Sequence, residues 1–298
     1  MSTSTPLIIE LRCNESAMRT SNPTIPYTPD EIAAEAVRAQ AAGASILSWH
    51  ARVPETGEHD HRRVDLYLET AEKIHRETDL LLMPTLGNLV SKSIETRLAH
   101  VIEASKKPST WIDLGPVDFG TVNIDRWDPV KRQFFPGDAV YLNTRSAIAE
   151  TLNLLRKTGT YVVTVVWDVA QVRTALLFQE AGLLQRETFW VFPFSSDARP
   201  AASNAEIHAL LAMIAAVPAG AQWQVLCTQG DIMTLAAWSI TLGGHVAVGL
   251  GDYDYPRFKN VTNVSLLNRV TQMAETVGRP IATPAQAREI LKVERRAS

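Results

Sequence analysis

The stretch Ser45-Ile46-Leu47-Ser48-Trp49-His50-Ala51-Arg52-Val53-Pro54-Glu55-Thr56-Gly57 sets the fold class. A short apolar run without helical period stops at a histidine and an arginine, then breaks at Val53-Pro54 and Gly57. That pattern predicts a buried strand delivering two polar side chains to a loop. Upstream, Thr28-Pro29-Asp30-Glu31 has a capping hydroxyl, proline at the first helical position and Glu three residues after the cap, so a helix over 28–43 is expected. A capped helix feeding a strand with chemistry at its carboxyl end is the repeating unit of an α/β protein.

The alternation continues in both directions. Strands are expected at Leu7–Cys13, from Leu80 to Gly87, at Thr110–Gly115, Tyr161–Trp167, Phe189–Phe194, Trp223–Cys227 and His245–Leu250. Helices are expected at 65–77, 93–105, 145–158, up to Gly182, at 203–217, 231–242 and 264–277, and after the second Thr-Pro cap at Thr283-Pro284. Eight apolar strands, each followed by a helix, predict a (β/α)8 TIM barrel with an extra C-terminal helix. An open doubly wound sheet would carry a Gly-rich turn after its first strand, and Asn14-Glu15-Ser16 is not one. The organisation read here is a single barrel domain over 1–298 with an irregular insertion at about 116–143, rich in aromatics and Asp.

Composition narrows the function classes. Hydrophobic content of 46%, charged content of 20% and a net charge of -3 describe an ordinary globular protein and give no reason to expect nucleic acid or an anionic membrane as partner. The two cysteines, Cys13 and Cys227, lack metal or redox spacing and read as reduced thiols of a cytoplasmic protein. No apolar run approaches the roughly 18 residues of a membrane span. In a barrel the site is built from strand carboxyl ends, which selects Glu15, Ser48, His50, Arg52, Thr85, Asp113, Asp168, Ser195, Thr228 and Asp252. His59 and His61 lie in a charged run, Glu58 to Arg63, that reads first as a solvated loop; their alternation also allows both imidazoles to face one side. Ser195-Ser196 and Asp231 read first as helix caps, and Thr228-Gln229-Gly230-Asp231 opens a helix whose backbone N–H groups also suit an anion. Trp49 is expected to face the helices, and His245 to lie at the far end of its strand.

The chain resembles the β-keto acid cleavage enzymes, the family of 3-keto-5-aminohexanoate cleavage enzyme. The likeness is densest in Asn22–Ile32, in Ala42–Ile46 through His50-Ala-Arg52 and Glu55-Thr-Gly57, in Gly243–Leu250 and in Gly278–Leu291. The resemblance implies a metal-dependent barrel that reacts a small β-keto acid with acetyl-CoA, yielding acetoacetate and a new CoA thioester, and a homo-oligomer. It implies zinc held by a His-x-His pair on the second strand and a Glu on the last, beside an Arg–Asp couple. In this chain Ser48 replaces the first histidine, Gly251 the glutamate and Ala247 the arginine, while His50 and Asp252 match. Thr85 fits the family's hydroxyl on strand three, Asp113 stands where an Asn is usual, and Glu15 lies one residue out of register with a family Glu. Two catalytic readings follow: a rebuilt metal site in which His59 and His61 join His50, or a metal-free barrel holding a carboxylate through Arg52, Ser48, Thr85 and Ser195-Ser196. In either, Asp252 or Glu15 moves the proton, Arg52 orients a loop or carboxylate, and Thr228, Gly230 and Ser195 take the CoA side. The rival is a non-catalytic barrel that binds a small carboxylate or CoA ligand.

Overall fold

A computed structural model describes residues 5–86, 93–195 and 202–294. Its barrel strands are β1 (Ile9–Arg12), β2 (Ile46–Ser48), β3 (Leu81–Leu82), β4 (Leu114–Asp118), β5 (Tyr161–Val165), β6 (Phe189–Ser195), β7 (Trp223–Thr228) and β8 (His245–Val248). All pair in parallel, in the order β3-β2-β1-β8-β7-β6-β5-β4. The seam between β3 and β4 is bridged by a side chain, Leu82 N–H donating to Asp113 Oδ2 at 2.8 Å. This is a nearly closed (β/α)8 barrel, as the β/α alternation predicts.

The helices are α1 (Pro29–Ala41), α2 (Val64–Glu77), α3 (Ile94–Arg97), α4 (Ala99–Ala104), α5 (Arg145–Thr158), α6 (Val169–Glu180), α7 (Ile207–Ala216), α8 (Met233–Leu242), α9 (Asn263–Thr276) and α10 (Pro284–Leu291). Thr28 and Thr283 both form the capping boxes expected of them. The single helix expected over 93–105 is broken at Leu98 into α3 and α4. The 116–143 segment folds as β4's end and two small antiparallel pairs, Val122–Asn123 with Val140–Tyr141 and Arg126–Asp128 with Gln133–Phe135.

One strand is displaced from its expected place. β4 begins at Leu114, because Pro108–Thr110 forms a 3-10 turn and Trp111 and Ile112 pack as apolar loop residues. Asp113 therefore sits at the amino end of its strand, away from the mouth, where it pairs with Arg288 of α10 at 2.6 Å.

Strand alternation divides the core. Ile8, Ile46, Leu81, Leu114, Val163, Phe189, Leu226 and Ala247 fill the lumen, joined from below by Ala287 and Leu291 of α10. The last helix thus plugs the amino end of the barrel. The opposite strand faces pack on the helices, where Trp49 is fully buried against Tyr67 of α2. Counting by twos from the lumen residues places Glu10, Arg12, Ser48, Ser195 and Thr228 on the lumen face toward the carboxyl ends. Cys13 and Cys227 are buried thiols that are not joined in a disulfide, and among the described residues no helix is long and apolar enough to cross a membrane.

Candidate active site

The centre of the mouth is a residue that the motif reading passes over, Arg12. Its Nε lies 2.6 Å from Asp252 Oδ2, one terminal nitrogen 3.2 Å from Glu10 Oε1 and the other 3.3 Å from Glu15 Oε2. Glu10 pairs in register with Ala247, so the small side chain where the family carries arginine lies one strand away from a guanidinium on β1. The arginine expected at 247 is absent, and Asp252 pairs with Arg12 of the neighbouring strand. The signal was available in Ile8-Ile-Glu10-Leu-Arg12, where two charges alternate on one face of a buried strand.

Glu15 joins this couple to His50. One carboxylate oxygen contacts His50 Nε2, and the other accepts from Ser48 Oγ at 2.9 Å. Ser48 thus holds a carboxylate from the position where a first histidine would stand. Burial alone would push the Glu15 carboxyl up, but the charges of Arg12 and His50 outweigh it and hold it well below the usual range. Asp252 moves the other way. Burial dominates there, Arg12 opposes it, and nearby Glu15 adds to the rise. Glu10 is driven up to about 7 by burial, with Arg12 and Gln224 opposing.

Two loops fix Glu15. Asn14, fully buried, accepts from His50 N–H at 2.9 Å and donates to the His50 and Pro26 carbonyls. From the other side, Gly251 O accepts from Ser16 N at 2.8 Å and Ala17 N at 3.1 Å. A Cβ on Gly251 would lie 2.4 Å from Glu15 N and 2.7 Å from Arg12 O, so a side chain cannot be accommodated at this position. The family zinc set therefore does not fit: Ser48 offers no imidazole, and the backbone of the first loop fills the space where a carboxylate at 251 would start.

Arg52 is buried and directed at backbone. It donates to the carbonyls of Asn14, Glu15, Ala17 and Gly57 and lies against Tyr27, with its guanidinium carbon 5.5 Å from the ring centroid. It orients the Glu15 loop, and its donors are taken up there. Gly57 has φ +74°, and a Cβ there would lie 2.1 Å from the Tyr27 ring, so this turn requires glycine. The turn folds the following segment back: Arg52 and His59 form an antiparallel bridge, and Asp60 N–H donates to Ala51 O at 3.2 Å. His59 and His61 are thereby brought to His50, with ring centroids 4.5 and 5.3 Å from it. Desolvation, reinforced by the His50 charge, holds His61 at about 3 and His59 at about 4, although an edge of the His59 ring stays exposed.

The remaining expected residues divide. Ser195 and Thr228 are register partners at the ends of β6 and β7, and both hydroxyls are buried with no partner among the described residues. Gly230 lies in the turn that follows, after Gln229, whose N–H donates to Asp252 O at 3.0 Å. Thr85 follows β3, its N–H bonded to Trp49 O beside His50. Asp168 does not reach the site: it is the N-cap of α6, accepting from Gln171 N at 2.8 Å. Asp231 accepts from Met233 N–H at the start of α8 at 2.9 Å and pairs with Arg257. His245 accepts from Ile8 N–H at 2.9 Å, a structural role at the strand's amino end. Ser196 lies outside the described residues. Asp118 occupies the carboxyl end of β4 in place of Asp113. It accepts from Trp167 Nε1 at 2.7 Å and Tyr141 Oη at 2.9 Å, and burial raises its carboxyl.

Fold and site together define a TIM-barrel protein with an acid–base cluster between its first and last strands. The chain belongs to the β-keto acid cleavage enzyme family, whose model matches residues 6–293. It is 29% identical over 286 residues to the 3-keto-5-aminohexanoate cleavage enzyme of Fusobacterium nucleatum, covering 95% of this chain and 96% of that one. It is 27% identical over 293 residues to the 3-dehydrocarnitine:acetyl-CoA trimethylamine transferase of Rhizobium meliloti, covering 91% of each. Among solved structures, the apo form of ObcA superposes with a TM-score of 0.70 at 16% identity over 91% of this chain, which spans 66% of the ObcA chain. That likeness supports the barrel fold.

Proposed function

We propose that the protein reacts a small β-keto carboxylate with acetyl-CoA to give acetoacetate and an acyl-CoA. The observation that carries this reading is the continuous chain Asp252–Arg12–Glu15–His50 at the mouth of a barrel of this family. The names of the relatives, one a keto-acid cleavage enzyme and one an acetyl-CoA-dependent transferase, support the substrate class.

The carbon between the keto and carboxylate groups is the acidic one, because its anion spreads onto the keto oxygen. Asp252 is the base: burial makes its carboxylate more basic than usual, and Arg12 keeps it ionised and aimed. The guanidinium also faces the charge that develops on the enolate. The carbanion attacks the acetyl carbonyl of acetyl-CoA and expels CoA thiolate. The thiolate adds to the original ketone, and cleavage of the carbon–carbon bond releases acetoacetate enolate and the new thioester. Asp252 returns the proton it took to that enolate, while Glu15 and His50 hold Arg12 in place beside it. The hydroxyls of Ser195 and Thr228, without a partner among the described residues, take the acetyl-CoA end with the Gly230 turn. Thr85 orients the substrate carboxylate.

The test is acetoacetate release from acetyl-CoA with a panel of β-keto acids, following both products by mass. Turnover with at least one member is expected, and the Asp252→Asn variant is expected to lose it. A tight CoA complex without turnover across the panel favours the ligand-binding barrel instead.

A further inference from the structure

The loop after β2 gathers three imidazoles onto one point. One nitrogen from each of His50, His59 and His61 lies within 4.8 Å of the others. In each ring one nitrogen is already held: His50 Nε2 by the Glu15 carboxylate, His59 Nε2 by the Glu15 carbonyl, and His61 Nδ1 at 3.1 Å from Tyr67 Oη. Metal-binding histidines are held in this way, with the second nitrogen fixed by a carboxylate, carbonyl or hydroxyl so that the first is aimed and basic. His50 Nδ1 is buried with no partner among the described residues, an expensive state for a ring nitrogen unless something occupies it.

We infer that His50, His59 and His61 form a divalent transition-metal site, with the ion displaced from the family's strand positions onto the loop after β2. Only His50 is shared with the family set. The other two ligands come from the turn that Gly57 makes possible. Three imidazoles with an open fourth position suit zinc or cobalt(II). The Glu15 carboxylate lies directly against His50 Nε2, so negative charge stands beside the position of the ion. The exposed edge of His59 leaves an entry path at the rim.

The inference concerns the protein without substrate, so it stands or falls independently of the reaction proposed above. Full-length protein stripped with chelator is titrated with cobalt(II), reading the visible absorption of the bound ion, its stoichiometry and the shift in melting temperature. One equivalent, a four-coordinate spectrum and a raised melting temperature are expected. All three are lost in the His59→Ala/His61→Ala double variant and retained in His208→Ala, an exposed histidine on α7. Glu15→Gln weakens cobalt affinity about ten- to a hundredfold, because it removes the group that orients His50. Absence of binding by the unaltered protein overturns the inference, as does full binding by the double variant. If the alanine pair does not fold, His59→Gln and His61→Gln singly replace it, and unchanged affinity in both is the overturning result.

Discussion

Arg12 and Asp252 are joined across the first and last strands of the barrel, with Nε 2.6 Å from Oδ2 at a site where both side chains are largely buried. Removing the guanidinium strands Asp252, Glu10 and Glu15 without their shared cation. Breaking a buried ion pair by deleting one partner costs about 3–5 kcal/mol. Arg12→Ala is therefore expected to lower stability by roughly that amount in urea unfolding, and to abolish acetoacetate formation. Arg12→Lys keeps the charge but not the three-way fork, and is expected to recover stability more than turnover. A variant as stable as the unaltered protein would sink the central role given to Arg12.

Glu10 provides a pH signature. Its carboxyl is pushed from an ordinary 4.5 up to about 7 by burial. Between those values the folded protein holds a proton that the unfolded chain has released. Stability contributed by this group therefore falls as pH rises through that window and levels off above it. The full span corresponds to roughly 3 kcal/mol. Glu10→Gln lacks the titration, so the stability difference between variant and unaltered protein should shift in the variant's favour between pH 4.5 and 7.5. A difference that stays constant with pH would contradict the assignment.

Gly251→Glu restores the residue type of the family's zinc ligand, yet it is expected to fail. The new Cβ meets Glu15 N at 2.4 Å and Arg12 O at 2.7 Å, both backbone atoms that cannot swing aside. The outcome expected is a drop of about 1–3 kcal/mol from overpacking, with no gain in zinc affinity. Gly251→Ala should share the stability loss, which separates crowding from charge. Tighter zinc binding in Gly251→Glu would show that the loop yields.

Arg52 holds the first loop by its carbonyls, so Arg52→Lys should behave as a loss rather than a conservative exchange. Several donors to charged-group hydrogen bonds disappear, each contributing about 1.5–3 kcal/mol. A lowered melting temperature is expected, and a raised KM for the keto acid because Glu15 loses its fixed backbone. An unchanged melting temperature would place Arg52 outside the scaffold.

Ser195→Ala and Thr228→Val test the CoA side. Their hydroxyls bond nothing among the described residues, so stability should hold or rise slightly, while KM for acetyl-CoA increases about fivefold or more, the loss of roughly one hydrogen bond. A change confined to the keto acid KM would move these residues to the other substrate.

The barrel was legible because its strands are short apolar runs between capped helices, and the capping boxes at Thr28 and Thr283 follow directly from their residues. The reading went astray where apolar residues lie outside the ladder. Trp111 and Ile112 look like strand but precede it, so Asp113 was placed at the mouth in place of Asp118. Asp168 stood at a strand end and proved to be a cap. His50, Glu15 and Asp252 are selected from their positions at strand ends, whereas Arg12 falls within the strand expected at Leu7–Cys13 and is not selected, although it is the last residue of β1. Its alternation with Glu10 across Leu11 puts both side chains on the lumen face. The alternation of His59 and His61 suggests that both can join His50, and the turn that brings them there has its geometry fixed by contact with Tyr27.

The backbone of Ser16 and Ala17 is fastened to Gly251, a partner more than two hundred residues downstream, and the carboxylate of Asp252 arrives on the same segment. A nascent chain emerging from the ribosome thus displays its glutamate and histidines long before the groups that set their spacing exist. The cluster at this mouth is complete only once synthesis has passed β8 and delivered Asp252.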